Sequence, residues 1–149
     1  MNAADARIAA IYTAHSTGVV KSVTPNAGPP RTNTFDLIVQ LEAGNVLGQS
    51  LANYTLNFTA VNENTGQAVA GLVPVGNPFK EEFDGPAGPL WKPSGNDFVR
   101  TGAAEPVGIL RYSIAIPAGL TGRFHYNLEF VSAGYQVVDL AESDPFLLV

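Results

Sequence analysis

Apolar and polar side chains alternate residue by residue over long parts of this sequence, and a period of two is typical of a β-strand with one buried face. In NYTLNFTAVN (53–62), Tyr54, Leu56 and Phe58 alternate with asparagines and threonines. Three further stretches alternate in the same way: TFDLIVQLE (34–42), VGILRYSIAI (107–116) and RFHYNLEFV (123–131). Each stretch predicts a strand with one face in a core and the other in water.

Turn-forming residues separate these stretches, as in NENTGQ (62–67), where Asn64 and Gly66 tolerate positive φ. Weaker strand patterns occupy four more segments: GVVKSVT (18–24), QAVAGLV (67–73), YQVVDL (135–140) and PFLLV (145–149). Seven or eight short strands with hardly any helix indicate an all-β fold. The sequence therefore predicts a two-layer antiparallel β-sandwich.

The C-terminal third of the chain favours one sandwich topology. The order of strands, the corner from Leu120 to Tyr126 and the final SDPFLLV (143–149) resemble the end of an immunoglobulin-like sandwich. The resemblance is to the fold only, and the chain has no cysteine for the disulfide of antibody domains. It implies an immunoglobulin-like topology, with a jelly roll as the alternative.

Residues 1–16 form the one segment with a helical pattern. Four residues share one face of a helix: Ala4, Ile8, Ile11 and Tyr12. Asn2 is a candidate N-cap. We expect a short helix here, with a first strand over ARIAAIYT (6–13) as the alternative, followed by a single sandwich domain over 17–149.

Composition and charge limit the classes of partner. The 149 residues are 46% apolar and 14% charged, which fits a globular domain. The net charge is -5 and the eight basic residues are scattered, so we expect neither nucleic acid nor an anionic membrane as a partner. No apolar run of membrane-spanning length occurs. Asp5 and Arg7 interrupt the N-terminus, which does not resemble an export signal, and the localisation stays open.

The segment 74–106 interrupts the alternation. It holds six of the eleven prolines and five of the fifteen glycines, which disfavour a central strand and a helix interior. We therefore predict a long Pro/Gly-rich loop here. Its four aromatic residues provide enough apolar area to hold it on a sheet, so we expect it to be ordered.

Aromatic residues of this loop, with one lysine, are the candidate binding residues: Phe79, Phe83, Trp91, Lys92 and Phe98. In one interpretation they cap an open end of the sandwich. In the other, Trp91 and a neighbour are exposed to a partner subunit or a ligand, since tryptophan is enriched at binding hot spots. Trp91 between prolines and beside Lys92 would also present a flat surface to a sugar.

Catalytic and metal sites have little support. Neither His15 nor His125 is accompanied by a nucleophile elbow or by a second histidine at zinc-binding spacing. The carboxylates form two clusters, neither of which matches a calcium-binding loop: Glu81, Glu82 and Asp84, and Asp139, Glu142 and Asp144. The glycines form no phosphate-binding loop. We expect no cofactor and no metal.

These patterns predict a non-enzymatic binding or assembly domain whose partner is another protein or a second copy. The expected interface is a sheet edge, the N-terminal segment or the loop 74–106. Few lysines block the strand edges, and strand faces rich in Asn and Thr suit a sheet-to-sheet contact. One alternative is a surface carbohydrate-recognition or adhesion module, which requires a solvent-facing Trp91 beside a polar groove. The other is a small hydrolase or isomerase, which requires His15 or His125 to meet a carboxylate in a concave pocket.

Overall fold

The computed structural model describes residues 1–132 and 137–149, and these form ten β-strands and one turn of 3-10 helix, Ala70–Leu72. In chain order the strands are β1 (Ala6–Ala14), β2 (Thr34–Ala43), β3 (Asn53–Asn62), β4 (Phe79–Glu82), β5 (Trp91–Ser94), β6 (Asp97–Arg100), β7 (Leu110–Ala115), β8 (Gly122–Ser132), β9 (Val138–Glu142) and β10 (Phe146–Leu148). No helix in this described part is long and apolar enough to cross a membrane.

The strands form two antiparallel sheets, so the predicted β-sandwich is confirmed. Sheet A has the order β1-β2-β6-β5, with β7 also paired to β2. Sheet B has the order β10-β8-β3-β4, with β9 also paired to β8. The immunoglobulin-like topology and the division into an N-terminal segment and one domain stay predictions.

The core lies between the sheets and follows the alternation in the sequence. In β3, Tyr54, Leu56 and Phe58 are buried, as predicted, while Asn53 and Asn57 are exposed. The buried aromatic rings come from both sheets and from the segment 74–106: Phe35, Tyr54, Phe58, Phe83, Trp91, Phe124, Tyr126, Phe130 and Phe146. Burial of apolar area on both inner faces is the main stabilising contribution to this architecture.

The predicted N-terminal helix is wrong, because Ala6–Ala14 form β1, which pairs with β2. The register shifts between Ile8 and Ala10, as in a β-bulge, where one strand gains a residue. Ile8 pairs with Leu41 and Ile11 pairs with Val39, so both point into the core although three positions separate them. The bulge thus gives a strand the apolar spacing of a helix.

The predicted structureless loop over 74–106 is also wrong, because the segment contains β4, β5 and β6. Each strand is four residues long, and β4 and β5 lie at sheet edges. Pro93 lies within β5 opposite Phe98, a position where an edge strand tolerates the missing N–H group. The prolines therefore do not prevent strands here: β5, which contains Pro93, lies at an edge, and β6, which contains no proline, lies between β2 and β5.

Two of the four weaker strand patterns correspond to isolated β-bridges in the structure and not to strands. The segment 18–24 pairs through Ala14 and Lys21, and the segment 67–73 pairs through Val61 and Ala68 before the 3-10 turn. The prediction over 135–140 is met from Val138 onward by β9, and its first two residues lie outside the described residues. The prediction over 145–149 is met by β10.

Loops cover the middle of the outer face of sheet A. Asp36 and Ile38 point away from the main core, yet they are only 3% and 0% exposed. Arg111 donates to Asp36 at 2.7 Å, to Glu105 at 2.9 Å and to the carbonyl of Gly18. Ile38 also packs in a second apolar cluster with Ala14 and Ile109. These contacts hold the loops 15–22 and 102–109 against sheet A.

Candidate interaction surface

The outer face of sheet B consists of the side chains of β3, β4, β8, β9 and β10 that point away from the core. Because side chains alternate along each strand, this face carries every second residue of the strands. Eleven of its members are exposed: Asn53, Asn57, Lys80, Glu82, Arg123, Asn127, Glu129, Val138, Leu140, Glu142 and Leu147. It therefore differs from the outer face of sheet A, whose middle the loops cover.

Strand register sorts these side chains into rows across the sheet. Glu129 of β8 lies between Asn57 of β3 and Leu140 of β9. Asn127 lies between Thr59 and Glu142 in the next row. Farther along β8, Arg123 pairs with Leu147 of β10. Directly paired side chains on one face are close enough to form one continuous surface.

A shallow cleft of about 400 Å³ lies in the middle of this face. Its lining combines amides, a hydroxyl, two carboxylates and an exposed leucine: Asn57, Thr59, Asn127, Leu128, Glu129, Leu140, Ala141 and Glu142. The amides and the hydroxyl donate and accept hydrogen bonds, and the leucine offers apolar area. The cleft can therefore receive protruding side chains of a partner.

Exposed apolar side chains occur in two pairs along the β9–β10 side of this face. Val138 and Leu140 of β9 are 54% and 68% exposed. Leu147 of β10 is 43% exposed, and its N–H group donates to the carbonyl of Val23, which is itself 52% exposed. Single exposed apolar residues are ordinary on protein surfaces, whereas contiguous apolar patches are typical of interaction sites.

His125 lies on the same face between two carboxylates. Its Nδ1 is 3.1 Å from Glu63 and its Nε2 is 3.3 Å from Glu142, while Arg123 lies 3.4 Å from Glu63. The histidine–carboxylate pair needed by a hydrolase is thus present. However, carboxylates occupy both ring nitrogens, so neither nitrogen is placed to take a proton from a nucleophilic hydroxyl.

His15 and the acidic clusters form no further site. His15 Nε2 is 3.3 Å from the Ser22 hydroxyl, but no carboxylate of the described residues lies beside this ring. Asp84 accepts hydrogen bonds from the chain's own N–H groups, at Leu90 and Trp91. Residues 1–132 and 137–149 contain no group of three side chains that could hold a metal ion.

The five candidate binding residues of the segment 74–106 do not form one exposed site. Phe83, Trp91 and Phe98 are buried, with exposures of 0%, 0% and 6%. Phe79 is half-buried and stacks on Tyr112, with the two ring centroids 4.9 Å apart. Lys92 is half-buried on sheet A. In this structure, therefore, the Trp91 indole packs into the core and leaves no face for a ligand.

A polar network that sequence reasoning missed surrounds Trp91. The indole Nε1 donates to the Tyr54 hydroxyl at 3.2 Å, and this hydroxyl donates to Glu81. Arg100 binds the same carboxylate with two hydrogen bonds, of 3.0 and 2.7 Å. The network links β3 and β4 of sheet B to β5 and β6 of sheet A. Alternation identifies Tyr54, but no local pattern connects Glu81 to Arg100.

The network changes the acidity of its members in opposite directions. Burial raises the pKa of the Tyr54 hydroxyl, and the neighbouring Glu81 carboxylate raises it further. Burial alone would also raise the pKa of Glu81, but hydrogen bonds from Arg100 and Tyr54 and the charge of Arg100 lower it below its usual value. Glu81 is thus held as a carboxylate, which makes the network a structural ion pair.

Comparison with known proteins identifies no family profile and no curated protein that matches this chain. Among solved structures, it is similar to a DUF4466 family protein from Parabacteroides merdae, with 14% identity, a TM-score of 0.39 and coverage of 97% of this chain. This chain spans only 45% of that protein. It is also similar to the CooA pilin subunit from enterotoxigenic Escherichia coli, with 12% identity, a TM-score of 0.32 and coverage of 91% and 99% of the two chains. Likeness at this level assigns no family.

Proposed function

We propose that this chain is a non-enzymatic assembly domain that associates with a second copy of itself through the outer face of sheet B. One observation carries the proposal. Loops held by Arg111 cover the middle of the outer face of sheet A, around Asp36 and Ile38, whereas the middle of the outer face of sheet B is exposed and this face holds the two apolar pairs. An exposed sheet face with neighbouring apolar side chains is the kind of surface that association buries.

The composition and the size of this face support a dimer of moderate affinity. Asparagine, threonine and leucine occupy its middle rows beside Glu129 and Glu142, and charged side chains such as Lys80 and Arg123 lie toward its ends. Four strands at about 4.8 Å spacing and ten residues at about 3.3 Å give a face of roughly 600 Å². A standard interface buries about 800 Å² per partner, so this face lies at the lower end of the range.

Strand edges offer a less favourable route to association. Edge strand β4 carries charged residues at three of its four positions, and edge strand β5 contains Pro93. The β1 edge is bulged, and its Ile8 N–H group donates to the Asp139 carboxylate at 2.7 Å. Charges, prolines, bulges and capping side chains all hinder strand addition. The exposed face is therefore favoured over these three edges.

The two alternative functions have weaker support. Carbohydrate recognition at Trp91 depends on a solvent-facing ring, and the indole is fully buried. A hydrolase depends on a hydroxyl beside a histidine–carboxylate pair, and His125 contacts two carboxylates instead. Self-association remains the function that the geometry favours.

Replacing Leu140 by lysine is expected to weaken self-association at least about tenfold, or about 1.4 kcal/mol, because it puts a charge where apolar area is buried. Sedimentation equilibrium over a wide concentration range measures the effect. Val107→Lys is the matched control, since Val107 is 65% exposed on a loop over sheet A. Wild-type protein that stays monomeric at every concentration, or equal effects of the two substitutions, would contradict the proposal.

A further inference from the structure

The outer face of sheet B has charges and leucines arranged symmetrically about the middle of β8. On one side, Glu129 lies in a row with Leu140. On the other side, Arg123 lies in a row with Leu147. The middle of β8, between Asn127 and His125, is equally far from both rows. Each row thus consists of one charge and one exposed leucine, and the two charges have opposite signs.

We infer that two copies pack face to face with their β8 strands antiparallel, so that the Glu129–Leu140 row of one copy lies on the Arg123–Leu147 row of the other. The two-fold axis lies in the plane of contact and crosses β8 at its middle. Because such an axis makes every contact twice, the dimer gains two ion pairs and two leucine contacts. The inference rests on the proposed self-association and specifies its geometry.

The side chains of both rows are free to make these contacts. No lysine or arginine of the described residues lies within ion-pair distance of Glu129. The Arg123 side chain is 61% exposed, and its contact with Glu63 is long, at 3.4 Å. The two leucines are 68% and 43% exposed. Pairing therefore places opposite charges and apolar surfaces together without breaking a buried contact.

One residue opposes the dimer. Glu142 follows Leu140 by two positions on β9 and shares the row of Asn127, next to the two-fold axis, so the copies bring their Glu142 carboxylates toward each other. His125, at 3.3 Å from Glu142, is the nearest group that could offset this repulsion. The repulsion fits an association of moderate affinity and no more.

Charge reversal tests this geometry. Glu129→Arg and Arg123→Glu are expected each to weaken the dimer at least about tenfold, because each places like charges opposite one another. An equimolar mixture of the two variants is expected to form a heterodimer with an affinity within about threefold of the wild type, since both pairs are then complementary. Lys92→Glu on sheet A is the control, because it changes the charge by the same amount as Arg123→Glu and is expected to leave the affinity unchanged.

Sedimentation velocity of each variant, of the mixture and of the wild type separates the outcomes. The Glu129 and Arg123 side chains are both exposed, and circular dichroism verifies that the variants fold. A dimer that forms in the mixture, but in neither charge-reversal variant by itself, supports the inferred geometry. If Leu140→Lys dissociates the dimer but charge reversal does not, or if the mixture stays monomeric, the geometry is wrong and the proposed self-association stands. A monomeric wild type overturns both.

Discussion

Replacing Arg100 by alanine is expected to lower the free energy of unfolding by about 3–5 kcal/mol, because it leaves the Glu81 carboxylate poorly solvated and without its cation. The side chains of Arg100 and Glu81 are only 7% and 19% exposed, and two hydrogen bonds join them. Urea denaturation at neutral pH measures the loss. A loss below about 1 kcal/mol would show that the pair behaves like a surface ion pair.

The double variant Arg100→Met with Glu81→Gln is the control for this prediction. It removes both charges while the glutamine still accepts the hydrogen bond from Tyr54, so the expected loss is much smaller than for Arg100→Ala. The dependence on pH provides a second control. The pKa of Glu81 is lowered in the folded state, so the wild type loses this stabilisation as the pH falls below about 4.5, the usual value, and through the folded-state value. In Arg100→Ala, acid protonates the Glu81 carboxylate and so removes the unpaired charge. The free energies of unfolding of this variant and of the wild type are therefore expected to converge at low pH.

Replacing Trp91 by alanine is expected to lower the free energy of unfolding by about 3–5 kcal/mol, because it leaves a large cavity in the core. The ring is fully buried, and its centroid lies 4.9 Å from that of Phe83 and 5.8 Å from that of Tyr54. The substitution also removes the donor to the Tyr54 hydroxyl. Thermal and urea denaturation measure the loss.

Trp91→Phe is the matched control for the cavity. It keeps an aromatic ring against Phe83 and Tyr54 but removes the indole N–H group, so its expected cost is well below that of alanine. If alanine costs no more than phenylalanine, Trp91 does not fill the core. Its exposure to a ligand or a partner would then be the better interpretation.

Alternation predicted the strands wherever the period of two continued without interruption. The patterns at 53–62 and 123–131 give β3 and β8, the longest pair in sheet B. The pattern failed at β1, where a bulge between Ile8 and Ala10 turned strand spacing into apparent helical spacing. A bulge depends on pairing with a distant strand, and a local pattern does not contain that information.

The segment 74–106 was misjudged for a related reason. A proline permits an edge strand, as at Pro93 of β5, and the proline-free residues 97–100 form β6 between β2 and β5. Whether a strand lies at an edge is decided by the whole sheet. The interpretation of its aromatics as a cap on the sandwich agrees with the burial of Phe83 and Trp91. The ion pair between Glu81 and Arg100 had no sequence signal, because Glu81 is one of three clustered carboxylates and Arg100 one of eight scattered basic residues.

The candidate surface was partly visible in the sequence. Alternation shows that Asn57, Asn127 and Glu129 point away from the core, and the polar strand faces suggested a sheet-to-sheet contact. Alternation does not tell which sheet stays uncovered. That depends on long-range contacts of Arg111 with Asp36 and with the carbonyl of Gly18. The rows also depend on the pairing of β8 with β9 and β10.

The absence of cysteine from the chain makes one measurement especially direct. Leu140→Cys and Leu147→Cys variants are mixed and treated with a short thiol-reactive cross-linker, because packed sheets lie about 10 Å apart, beyond the reach of a disulfide. A dimer that packs through the outer face of sheet B with its β8 strands antiparallel predicts efficient cross-linking in the mixture and little in either variant alone, as measured by mass spectrometry. Equal cross-linking in all three samples, or none in the mixture, would contradict it.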